Sequence, residues 1–189
     1  MSDVFTMLEN DHRTVEKLLE QLAESEEGSE REQLVAKVTA SLRLHMEFEE
    51  AEIYPLLAEV DREMEDEAEV EHGLAREGLS KLGELAAAPG FGAAVEMLKA
   101  GISHHVEEEE QEAFPALRSS CDEATVNQLA QELLQRKAQA GTLADDLESA
   151  SKETLLMMAE QAGIEGRSSM TKAELVERLA TASGGVGTA

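Results

Sequence analysis

The sequence predicts an all-α protein: an antiparallel up-down four-helix bundle with a fifth helix and a small C-terminal helical module. Three observations lead there. Helix-favouring residues dominate, Trp is absent, and only 3 Pro and 1 Tyr occur among 189 residues, a composition suited to helices. Four long segments repeat apolar residues at helical spacing with short polar breaks between them. A helix hairpin is also used twice, at a constant offset of 60 residues.

The elements follow in order. In "SDVFTMLENDHRTVEKLLEQLAE" the stripe Phe5, Leu8, Val15, Leu18, Leu19 and Leu22 follows a cap at Ser2 or Asp3, and Gly28 closes the polar break after it. A second helix is read from Glu30 to Tyr54, with Pro55 marking a kink or late break. The third runs from Met64 to Ala88 and is expected to be less regular because of Gly73, Gly78 and Gly83. "PGFG" is a turn. The fourth covers Ala93 to Leu117, again with a proline, Pro115, near its end. A fifth begins in "SSCDEATVNQ", capped by Ser120 or Asp122. Beyond Ser149 the charge is nearly balanced, and two short helices flank a Gly-containing loop; "SGGVGTA" reads as disordered. The domain reading is therefore a bundle over 1–120, a fifth helix packing on it over 121–150, a helix-loop-helix over 151–182 and a disordered tail over 183–189.

Charge and cysteine usage narrow the partners. A formal charge of −25 disfavours non-specific attraction to nucleic acid or an anionic membrane and makes cations the natural partners. One cysteine, Cys121, allows no internal disulfide and fits a reducing interior. The acidic start "MSDVFTMLENDHR" is no signal peptide, and no run approaches the roughly 20 apolar residues of a membrane span. A soluble, cytoplasmic protein is expected.

The repeat carries the chemistry. "LHMEFEEAEIYP" and "HHVEEEEQEAFP" align at the 60-residue offset, matching His45 with His105, Glu49 with Glu109, Tyr54 with Phe114 and Pro55 with Pro115. The same offset joins His12 to His72 in the preceding helices, whereas His104 matches Leu44 and falls outside the pattern. His45 and Glu49 are four apart, as are His105 and Glu109, so each pair projects from one helix face. Inside a bundle, four imidazoles and two carboxylates would converge from four helices. Two divalent metals bridged by the carboxylates would neutralise and satisfy them. Spacing alone permits Fe, Zn or Mn; mixed histidine and carboxylate ligation with open positions suits redox iron. Glu107, Glu108 and Glu112 read as a solvated face.

These residues resemble the haemerythrin HHE cation-binding domain: His12, the two H-x3-E-E motifs at His45 and His105, each followed by an aromatic and a proline, and His72. The resemblance covers residues 1–120. It implies two iron ions, oxo- or hydroxo-bridged, with His12 and His45 as terminal ligands in one half, His72 and His105 in the other, and Glu49 and Glu109 as bridges, Glu110 remaining an alternative to Glu109. Oxygen-carrying haemerythrins have a further histidine one turn after the residue matching His72. Arg76 stands there in this chain, which disfavours oxygen carriage and favours chemistry at the metal or sensing.

Tyr54 is the candidate catalytic residue. It lies nine residues beyond His45, about 900° of rotation on an ideal helix, which points it to the opposite side unless the helix distorts before Pro55. A core aromatic matched to Phe114 is the alternative reading. Actinobacterial haemerythrin-like proteins, which this chain resembles, carry a tyrosine there and are thought to decompose hydrogen peroxide. The functional expectation is peroxide decomposition, the alternative being binding or sensing of oxygen, nitric oxide or iron without turnover. "AGIEGRSSMTKAELVERL" resembles the Rho N-terminal or SAP-like helix-loop-helix. With balanced charge and no aromatic, residues 151–182 are expected to bind nucleic acid weakly at most.

Overall fold

The computed structural model describes residues 3–184; Ser2 as a cap and most of the tail read over 183–189 lie outside the described residues. All described elements are helical. They divide into two compact units, one of residues 1–14 with 121–189 and one of residues 15–120.

The second unit holds most of the bundle. Helix α1 (Val4–Glu24) enters it from the first unit, with Asp3 Oδ1 accepting from the Phe5 N–H at 3.0 Å as its cap. Helices α2 (Ser29–Phe48), α4 (Arg62–Leu85) and α5 (Phe91–Glu108) complete the set. Their apolar stripes close one core from Val15, Leu19 and Leu22 on α1, Val38 and Met46 on α2, Leu82 on α4, and Val95 and Leu98 on α5. Asp61 caps α4 by accepting from the N–H groups of Glu63 and Met64, both at 3.1 Å. The glycines do not interrupt α4 as expected. Gly78 instead lets α5 close in, since a Cβ there would lie 2.8 Å from Leu98 Cδ1.

The two prolines do not end their helices. After α2 the chain makes a π-helical turn, π1 (Glu49–Ile53), and continues as α3 (Tyr54–Val60). After α5 it makes π2 (Glu109–Ala113) and continues as α6 (Phe114–Ser120). In both, the N–H of the aromatic donates five residues back, Tyr54 to the Glu49 carbonyl and Phe114 to that of Glu109. Each π-turn adds a residue relative to an α-turn, so the backbone itself repeats the sequence duplication.

In the first unit, α7 (Glu123–Ala140) is capped by Asp122, whose Oδ1 accepts from the Thr125 N–H at 2.8 Å. It stops at Gly141, φ +76°, and the short α8 (Leu143–Ser149) follows. Beyond lie α9 (Lys152–Gln161) and α10 (Lys172–Gly184), around a loop with left-handed Gly163 and Gly166. An ionic cluster sits inside this unit. Lys137 is 2% exposed, bonding Asp11 and, at 2.6 Å, Asp146 Oδ2. No helix among the described residues is long and apolar enough to cross a membrane.

Candidate metal centre

Within the 15–120 unit, five of the six donors selected from the sequence come together. Helix α2 delivers His45 and π1 begins at Glu49, so the pair meets at 3.0 Å, Nε2 to Oε2, on one face. Helix α4 delivers His72, whose Nε2 lies 3.4 Å from Glu49 Oε2. Helix α5 and π2 deliver His105 and Glu109, 3.5 Å apart. Glu49, His72, His105 and Glu109 are all buried, with one donor atom each inside a 4.8 Å sphere of mutual distances. The sixth, His12, is a buried residue of α1 in the other unit; on the helical period it shares a face with Leu8, Val15 and Leu19.

Two carboxylates outside the selected set orient the imidazoles. Glu50 Oε1 is 3.0 Å from His72 Nδ1, and Glu71 Oε2 is 2.8 Å from His105 Nδ1. Each ring thereby commits its Nδ1 proton to a carboxylate and turns Nε2 inward, the arrangement that fixes metal-binding histidines elsewhere. Glu71 carries no motif, and its partner His105 lies 34 residues away along the chain. Glu50 is the second glutamate of H-x3-E-E, and its role needed the fold to become visible. Arg76 does not face the donors: its guanidinium clasps Glu50 at 2.6 Å to each oxygen, with the side chain 41% exposed.

The π-turn settles where Tyr54 points. The extra residue rotates it away from the face that an ideal α-helix would give, and the ring is buried. Its hydroxyl lies 2.8 Å from His72 Nε2 and donates to Glu109 Oε1 at 3.2 Å. The Tyr54 and His72 rings stack with centroids 5.0 Å apart.

The electrostatics call for positive charge. Glu49 is 0% exposed and neither of its oxygens has a well-directed hydrogen bond. Burial alone would raise its pKa, yet the charge and contact of His45, then His72, hold it well below the usual range. His72 Nε2 and His105 Nε2 are 3.1 Å apart. Two inward lone pairs at that distance require a shared cation, whether proton or metal. Burial works against a charge on His105, but Glu109, Glu71 and Glu49 outweigh it and push its pKa up to about 9. Burial first, then the charges of Glu109 and Glu49, keeps the Tyr54 phenol protonated far beyond its ordinary range. Imidazole nitrogens and carboxylate oxygens around a buried point of negative potential fit a divalent transition-metal ion.

Comparison with known families agrees with this geometry. The Hemerythrin HHE cation binding domain matches residues 3–117, more than half of the chain. Comparisons with curated proteins and with solved structures gave no match. The converging histidines and glutamates fit a cation site, and the chain belongs to the haemerythrin HHE family.

Proposed function

We propose that the centre holds two iron ions and decomposes hydrogen peroxide. Glu49, Glu109, His72 and His105 would hold one ion, and Glu49, Glu109, His45 and His12 the other. His12 is assigned by the repeat, in which it stands to the first H-x3-E-E motif as His72 stands to the second. Bound iron supplies reversible one-electron changes on each of two ions, so two peroxide molecules can disproportionate to one dioxygen and two waters without an outside reductant.

The observation that carries the reading is the Tyr54 hydroxyl inside the donor set, 2.8 Å from His72 Nε2 and 3.2 Å from Glu109. Held protonated, it donates a hydrogen bond to a small oxidant. Phe48, Ile53 and Phe114, all buried, exclude bulk water and favour a small neutral substrate over a charged one. Arg76, engaged with Glu50, contributes no nitrogen donor to the centre.

Oxygen evolution from peroxide by iron-loaded protein, followed with an oxygen electrode, tests the reading. Activity that requires iron and changes in rate in Tyr54→Phe is expected. Iron-loaded protein that evolves no oxygen, yet binds oxygen or nitric oxide reversibly, transfers the centre to sensing.

A further inference from the structure

One histidine is left over from the buried centre. His104 lies outside the 60-residue repeat, is 61% exposed, and sits with Nε2 3.5 Å from Glu71 Oε1 and 3.5 Å from Glu108 Oε1. One donor atom from each of the three residues falls within 4.8 Å of the others. An imidazole between two carboxylates differs from the ordinary solvated acidic face around it: it adds a nitrogen donor that selects transition ions over calcium or magnesium.

Two further features point to a cation. Glu108 also lines a cleft of about 170 Å³ whose other walls include Asp61, Glu63, Glu67 and Glu112, so mobile cations concentrate beside the three donors. Glu71 faces both ways: while Oε1 approaches exposed His104, Oε2 is 2.8 Å from Nδ1 of buried His105. One carboxylate spans the surface cluster and the buried centre.

We propose that His104, Glu71 and Glu108 form a surface site for a divalent first-row transition metal, and that this site loads the buried centre. The inference rests on the buried donors being a metal centre. The acidic cleft gathers the hydrated ion, and His104 with Glu108 strips part of its water. A metal drawing on Glu71 competes for the carboxylate that holds the His105 ring, which frees that ring to turn during transfer. One exposed and two half-buried ligands leave the remaining positions to water, so binding is weak and exchange fast, as loading requires.

Untagged, iron-loaded protein is dialysed against Co²⁺, and cobalt and iron are both measured. Wild type should take up about one extra cobalt per chain with its iron retained, a stoichiometry set by the three-donor site. His104→Ala and Glu108→Gln should lose that cobalt and keep the wild-type iron content. Fe²⁺ uptake by metal-stripped protein, followed by stopped-flow absorbance, should slow several-fold in both variants and reach the same endpoint. Cobalt binding unchanged in His104→Ala, no extra cobalt in wild type, or unchanged uptake rates overturn the proposal. Low iron in wild type itself would count against the buried centre, and the cobalt result would still decide the surface site.

Discussion

Replacing Lys137 with Met removes a cation hydrogen-bonded to both Asp11 and Asp146, while keeping most of its apolar volume. All three groups are buried, with exposures of 2%, 3% and 1%, so solvent screens them little. Breaking a buried pair by removing one partner costs about 3–5 kcal/mol. For a chain of this size each kcal/mol shifts Tm by roughly 2–4 °C, so a fall of roughly 6–20 °C is expected near pH 8. The loss must depend on pH. Burial already raises the Asp146 carboxyl to about 6, Lys137 offsetting only part of it. Without Lys137 the folded-state pKa rises further. A raised folded pKa gives stability that is complete below the unfolded value and lost as pH climbs through the folded one. The variant should therefore regain at pH 5 part of what it lacks at pH 8. Urea unfolding by circular dichroism at both values measures this. A loss below about 1 kcal/mol at pH 8, or an equal loss at both, would refute the buried-ion argument.

Further outcomes follow from the centre. Glu49→Ala should empty both metal positions together, read by metal analysis; loss of one metal alone would make Glu49 a terminal ligand. His105→Ala should strongly lower iron content, whereas His104→Ala should spare it at equilibrium, and the reverse would shift the ligand register by one residue. Because His105 is held protonated up to about 9, iron loading at pH 7 should release a proton and weaken as pH falls, measured by calorimetry in buffers of different ionisation enthalpy. Stripping the metal should lower Tm, since binding only the folded state stabilises it. The full chain should shift DNA weakly or not at all at low salt, because the acidic surface opposes it.

The sequence made the helical class and the donor set legible because both are periodic. Apolar stripes mark helix faces, and the 60-residue offset separates His105 from its neighbour His104 without any structure. Periodicity also left a choice open. On the 100° rule Tyr54 points to the opposite side unless the helix distorts before Pro55, and nothing in "EEAEI" announces the π-turn that distorts it. The fifth helix showed its start through Asp122, but the stop at Gly141 was hidden by continuing helix-forming residues. The pairings of Glu71 with His105 and of Lys137 with Asp11 were beyond reach for another reason: they span 34 and 126 residues, and no local pattern encodes such a pairing.

The twin π-turns have an evolutionary corollary. Each is a one-residue slip of phase, so residues upstream and downstream of it answer to different registers and can change independently. The upstream half of each motif carries the histidine and the first glutamate; the downstream slot holds Tyr54 in one copy and Phe114 in the other. A backbone with two equivalent halves can thus carry a phenol in one slot and a bare ring in the other. Exchanging the two, as Tyr54→Phe with Phe114→Tyr, would mirror that asymmetry while leaving the donor residues untouched.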